Sequence, residues 1–243
     1  MSLQLPLDLT TPPALGREDF LPAPANAAAL ALLDRPESWP QGRLLLVGPE
    51  GAGKSHLATF WAAEQGARWL DAAAGAAPPT AFAAIGPDDW IAPGGVLVVE
   101  NADLAAGHPA AERALFHLWN LAAAQGCRLL LTARTPPRDW GLALPDLSSR
   151  MEATALVRLD PPDEALMAAV LVKLFADRQL APGAGVIAAL VRRMDRDLGL
   201  ARRLVARIDR AALAGNRAVT RPLALAELAR ETGTESDADT ATE

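Results

Sequence analysis

The sequence has no tyrosine, one cysteine and two lysines among 243 residues. A single cysteine, Cys127, excludes an internal disulfide and a cysteine-based metal cluster. His108 and His117 lack metal-ligand partners at useful spacing, so neither is assigned a metal site. No apolar run is long enough to span a bilayer, and the N-terminus lacks the basic-then-apolar order of a signal peptide. By these absences a cytoplasmic location is expected. Positive charge is also scarce: the net charge of −6 argues against a generic nucleic-acid coat. The deficit is uneven. Residues 191–221 hold nine arginines against three aspartates, whereas residues 227–243 hold six acids against one arginine. The basic stretch suits phosphate, an acidic partner, or simply a solvated helix face beside an acidic tail. Six tryptophans are present. Trp61, Trp119 and Trp140 are expected in the core or at domain seams rather than on a stacking platform.

Hydrophobic residues make up 51% of the chain, enough for a packed core, and much of that share is helix-favouring alanine. The length suits one medium domain, or a domain plus a small lid. Prolines 6, 12 and 13 oppose regular helix, so residues 1–19 read as an extended arm. Residues 26–33 read as a short helix. Short apolar runs at 43–47, 96–99 and 128–131 read as buried parallel strands, with weaker candidates at 68–70 and 155–159. Helical spacing occupies 54–65 and 110–125, whereas 72–93 carries little signal. The alternation predicts an α/β fold over residues 20–159, a parallel five-stranded sheet with helices on both faces. After Pro161 and Pro162 the pattern turns helical, at 163–177, 186–194, 198–213 and 223–230. Residues 160–230 are therefore expected to form a helical lid, and 231–243 a disordered acidic tail.

The decisive segment is Gly48-Pro49-Glu50-Gly51-Ala52-Gly53-Lys54-Ser55. It matches the P-loop pattern and lies between a predicted strand and a predicted helix, as that pattern requires. Its glycines let successive backbone N–H groups point at phosphate oxygens, and the following helix adds its positive end. Lys54 is placed to reach the β- and γ-phosphates of ATP or ADP, and the Ser55 hydroxyl to ligate Mg²⁺. Lysine stands here in a chain that otherwise uses arginine, where a compact ammonium is wanted. A second buried strand ends in Val98-Val99-Glu100-Asn101-Ala102-Asp103. The usual Walker B strand ends in an acid for Mg²⁺ and then a glutamate that orients the attacking water. Glu100 takes the first place and can serve Mg²⁺ through water. Asn101 takes the second and cannot accept a proton, and Asp103 is an alternative of unknown geometry. Binding with weak intrinsic hydrolysis is expected.

From these residues onward the chain resembles the AAA+ module of the bacterial initiator DnaA and, more closely, the short Hda family of DnaA relatives. The resemblance covers roughly residues 4–230. Gly53-Lys54-Ser55-His56-Leu57 is similar to that family's P-loop helix start, with His56 and Leu57 beyond the general consensus. Leu130-Leu131-Thr132-Ala133-Arg134 resembles the strand that carries the sensor 1 polar residue, which would make Thr132 that residue. Leu144-Pro145-Asp146-Leu147-Ser148-Ser149-Arg150-Met151 resembles the Hda stretch with the arginine finger, which would be Arg150. Met194-Asp195-Arg196-Asp197 resembles the sensor 2 segment, implying that Arg196 folds down onto the nucleotide. Gln4-Leu5-Pro6-Leu7-Asp8-Leu9 resembles the hexapeptide by which Hda proteins bind the β sliding clamp, through Gln4, Leu5, Leu7 and Leu9.

The resemblance implies a regulator of replication initiation. It would bind ADP or ATP with Mg²⁺, dock on the clamp, and present Arg150 to ATP-bound DnaA. Arg150 is expected at the exposed far end of the sheet, where it can enter a neighbour's site. Contact with DNA would be indirect through the clamp, and a homo-oligomer is compatible with the pattern. A DnaA-type DNA-binding domain is not expected after the lid, and among residues 56–98 Arg68 is the only lysine or arginine for gripping single strands. Two alternatives stand: a nucleic-acid-binding initiation factor or helicase loader, favoured by the basic 191–221 stretch, and a plain ATPase with its own turnover, which Asn101 opposes.

Overall fold

A computed structural model describes residues 15–73 and 92–239, with side chains as far as residue 233. The hexapeptide residues Gln4, Leu5, Leu7 and Leu9 lie outside the described residues, as does most of the low-signal 72–93 stretch. Five strands, β1 (Arg43–Val47), β2 (Arg68–Asp71), β3 (Val96–Glu100), β4 (Arg128–Ala133) and β5 (Leu156–Arg158), form one sheet in the order β2-β3-β4-β1-β5. All four pairings are parallel. The interior strand β1 is buried at every position and β3 and β4 at all but their first, whereas the short edge strands β2 and β5 are each buried at one position alone.

Because side chains alternate along a strand, each strand feeds two cores. Leu44, Leu46, Val98, Leu130 and Val157 face one side. There they meet the helices α1 (Ala27–Leu33) and α2 (Lys54–Gln65), including the fully buried Trp61. Leu45, Val47, Leu97, Val99, Leu129 and Leu131 face the other side. There they meet α3 (Pro109–Ala124) and α4 (Pro145–Glu152). The eight-residue α4 was legible only as a motif. It is too short to show periodicity, and it is held by Leu147 and Met151, both fully buried one turn apart.

Four helices follow the sheet: α5 (Glu164–Asp177), α6 (Val186–Val191), α7 (Leu198–Gly215) and α8 (Arg221–Asp239). They enclose a third core that includes Leu171, Phe175, Leu190, Leu204 and Ile208. Asp163 caps α5 by accepting from the Leu166 amide at 2.7 Å. Asp197 caps α7 by accepting from Gly199 and Leu200 at 2.6 and 3.1 Å. The last helix runs to Asp239, beyond the end expected at Arg230. Glu231 explains part of the extension: its carboxylate lies 3.0 Å from Arg203 and 3.4 Å from Arg207 on α7, which ties that turn down.

Candidate functional site

The phosphate loop sits at the carboxyl end of β1. Gly48 is glycine because a Cβ there would come within 2.6 Å of the Leu159 carbonyl. Gly53 takes φ +98° as it turns the chain into α2, a conformation that favours glycine. Lys54, on the first turn of α2, is 7% exposed. Its Nζ donates to the carbonyls of Gly48 at 2.7 Å and Pro49 at 2.8 Å, folding the ammonium against the start of the loop. Burial lowers the Lys54 pKa, an effect opposed first by the Asp103 charge and then by Glu100. Asp103 was only an alternative in the sequence, and the structure brings it to the site. Its Oδ2 accepts from the Arg134 amide at 3.1 Å, and its Oδ1 is buried without a partner among the described residues.

Ser55 and Glu100, expected to share a Mg²⁺ ion, are brought together: the serine hydroxyl donates to the Glu100 carboxylate. Burial pushes the Glu100 pKa up and the Ser55 bond partly offsets it. A hydroxyl beside a desolvated carboxylate is a hard oxygen donor set of the kind Mg²⁺ takes. Asn101 turns away from this pair. It adopts φ +55°, and its Nδ2 donates to Asp71 Oδ1 at 2.9 Å on the sheet edge. Its backbone N–H donates to the buried Thr132 hydroxyl on β4 at 3.0 Å, which sets Thr132 beside the end of β3.

The remaining predicted residues serve other parts of the structure. Glu50 is exposed, 3.6 Å from Arg134. His56 belongs to the P-loop helix, but its ring faces the lid and residues 15–25, a strap that precedes α1. Nε2 lies 3.1 Å from the Gly16 carbonyl and Nδ1 lies 2.7 Å from Arg202 Nη2 on α7. Arginine only donates and a carbonyl only accepts, so the imidazole is neutral with its proton on Nε2. Burial and the Arg202 charge lower its pKa accordingly. Arg196 is exposed and lies 3.5 Å from Glu164. One and two residues further on, at Asp197 and Leu198, the lid touches the loop itself. The Leu198 amide donates to the Gly51 carbonyl at 3.0 Å, and a Cβ on Gly51, at φ +71°, would collide with the Asp197 carboxylate. A cleft lined by Phe20, Leu21, Asn26, Leu166, Leu198 and Arg202 opens between the strap, α2 and the lid. The sequence reading missed Phe20 and Leu21 because the strap has no periodic pattern to mark them, and it placed Asn26, Leu166, Leu198 and Arg202 only as parts of helices.

Arg150 lies at the opposite end of the sheet. Its guanidinium is over the rings of Trp119 at 4.6 Å and Phe116 at 5.0 Å. The Trp119 ring also lies 3.6 Å from the guanidinium of Arg43, the first residue of β1. The expectation of an exposed arginine is thereby corrected. Arg150 is half-buried, because α4 packs on α3 and the Phe116 and Trp119 rings lie against its guanidinium.

Domain III of the Thermotoga maritima replication initiation protein DnaA superposes with a TM-score of 0.74 at 18% identity, over 90% of this chain and 97% of that one. AMPPCP-bound DnaA from Aquifex aeolicus superposes at 0.64 and 16% identity, over 93% of this chain and 70% of that one. A replication initiator DnaA bound to AMPPCP and single-stranded DNA superposes at 0.62 and 16% identity, over 81% of this chain and 65% of that one. No protein-family model matches the chain. The fold is that of an AAA+ P-loop module, as expected: a parallel five-stranded sheet between helices, followed by a helical part.

Proposed function

We propose that this chain is an Hda-like regulator of replication initiation. It binds ADP or ATP with Mg²⁺, docks on the β sliding clamp through Gln4, Leu5, Leu7 and Leu9, and supplies Arg150 to the ATP site of DnaA. The observation that carries this reading is the place of Arg150, at the amino end of the strands while the chain's own P-loop is at the carboxyl end. An arginine so far from its own phosphate loop serves a nucleotide held by another chain, and an arginine supplied in trans accelerates hydrolysis by roughly three to five orders of magnitude. The P-loop, Ser55, Glu100 and Thr132 support nucleotide binding, and the sensor candidate Arg196 would leave Glu164 to reach the nucleotide. The Asn101 amide, engaged with Asp71, supports weak turnover in this chain. The bound nucleotide would then close the lid over the loop and orient the Arg150 face.

The test is hydrolysis of ATP pre-bound to DnaA in the presence of clamp loaded on DNA. The wild type is expected to stimulate hydrolysis, whereas Arg150→Ala and a Gln4→Ala/Leu5→Ala double variant each fall to the unstimulated rate. No stimulation by the wild type overturns the reading. A nucleic-acid-binding initiation factor is the second reading, favoured by the exposed Arg192, Arg193, Arg210, Arg217 and Arg221 on the lid. It requires tight, steeply salt-dependent binding of single-stranded DNA by the isolated protein.

A further inference from the structure

Arg43 is a cation where a cation is costly. It is 3% exposed and has no carboxylate within ion-pair distance among the described residues. Its polar partners are the Gln41 Oε1 at 2.7 Å and the Trp119 carbonyl at 3.4 Å, and its Nε is buried without a partner among the described residues. The Trp119 indole, 3.6 Å away, supplies the remaining compensation through its π face. Trp119 Nε1 is likewise buried without a partner, so the ring's position is not set by a hydrogen bond of its own among the described residues. Burial lowers the Arg43 pKa, and the nearby Arg150 charge lowers it further.

Arg150 shares that indole and adds the Phe116 ring. It too has no carboxylate partner among the described residues. On its own helix, Asp146 stands one turn back on the same face but makes no ion pair with it among the described residues, and Glu152, two residues on, accepts from the Ser148 hydroxyl at 3.0 Å instead. A finger held by a carboxylate would have to break that ion pair before meeting a phosphate, and its charge would be largely cancelled until then. Aromatic faces hold a guanidinium in place while leaving its charge and its N–H groups available.

We propose that Trp119, backed by Arg43 and flanked by Phe116, is a positioning shelf for Arg150. The shelf fixes the finger's direction without neutralising it, and the like charge of Arg43 behind it disfavours retreat into the core. The inference rests on reading Arg150 as a finger that acts on another chain's nucleotide. Trp119 and Arg43 touch no substrate and act only through Arg150.

Two measurements on the full chain test this. The first needs no partner: phenylglyoxal modification of Arg150, followed by peptide mass spectrometry, in wild type, Trp119→Phe and Trp119→Leu. Losing a cation–π contact of this kind should free the guanidinium, so modification rises roughly 5-fold in the leucine variant and stays within about 2-fold in the phenylalanine variant. The second is stimulated hydrolysis on DnaA. Trp119→Leu should lower the maximal rate about 10-fold with the half-saturating concentration unchanged, and Trp119→Phe should restore most of it. Equal modification rates in all three proteins overturn the shelf. Equal loss of maximal rate in the leucine and phenylalanine variants also overturns it, because a merely structural tryptophan would behave that way. If Trp119→Leu fails to fold, Phe116→Leu takes its place, with an expected rise of about 2-fold in modification. No stimulation by wild type removes the finger reading, whereas the modification series still decides the shelf.

Discussion

The two ends of the sheet handle charge in opposite ways. At the carboxyl ends, ionic groups are matched at short range: Lys54 with two carbonyls, Ser55 with Glu100, the Arg134 amide with Asp103. At the amino ends, two guanidinium groups share one indole and no carboxylate among the described residues balances them. The first arrangement is closed except for Asp103 Oδ1, which has no partner among the described residues, and a phosphate and a cation would rearrange it. The second is left electrically open, which suits a group that acts outside its own chain. A site for holding and a site for reaching out can thus sit on one small sheet without competing.

The sharpest way to break this contrast is to disable one end and measure both. Lys54→Ala removes a buried charge from the loop, and nucleotide affinity by calorimetry is expected to fall about 100-fold or more. Arg150→Ala is expected to leave that affinity within about 2-fold while abolishing action on DnaA. If Arg150→Ala weakened nucleotide binding as strongly as Lys54→Ala, the two ends would not be separate.

A smaller effect is expected at the point where loop and lid touch. Gly51→Ala forces a positive φ on alanine, at about 1–3 kcal/mol, and drives its Cβ into the Asp197 carboxylate. A thermal midpoint lowered by about 3–10 °C is expected, with faster lid opening by hydrogen exchange at α7. An unchanged midpoint would mean that the loop does not bear on the lid.

The smallest effects are in pH dependence, where the signs differ. The Glu100 pKa is raised in the fold. Its contribution to stability is therefore fully present below the ordinary carboxyl value of 4.5 and is lost as pH rises through the folded value. Without Mg²⁺, Glu100→Gln is expected to raise the neutral-pH midpoint by about 2–4 °C and to flatten that slope. The His56 pKa is lowered. Its contribution is present above the ordinary imidazole value of 6.5 and is lost as pH falls through the folded value. His56→Asn should remove that acid-side decline, and a decline retained in the variant would show another group to be responsible.

Much of this arrangement was legible in the sequence because it rests on local patterns. The bounds of β1 and α2 emerge from a continuous apolar run, two turn residues and a helical stretch, with no need of the rest of the chain. The Ser55–Glu100 pair was legible because two motifs each carry half of it. What was hidden depends on distant segments. Nothing near Arg150 in sequence announces Trp119, and nothing near Trp119 announces Arg43, 76 residues away. Asp103 could be named but not placed, because a short 3₁₀ turn decides where its carboxylate goes. His56 matched a motif, and only the folded lid explains where its second nitrogen bonds.

That imidazole also bears on the order in which the molecule assembles. Its two bonds reach 40 residues back to Gly16 and 146 residues forward to Arg202. Closing the 146-residue span costs more entropy than closing any strand pairing of the sheet, and contacts of long span belong to the slow part of folding. Every strand pairing of the sheet spans fewer residues than the Arg202 bond, so the sheet can stand before that bond closes. A bond absent from the transition state governs how fast the native chain opens rather than how fast it forms. The histidine therefore acts on the lifetime of the closed molecule, and little on the rate at which it is first reached.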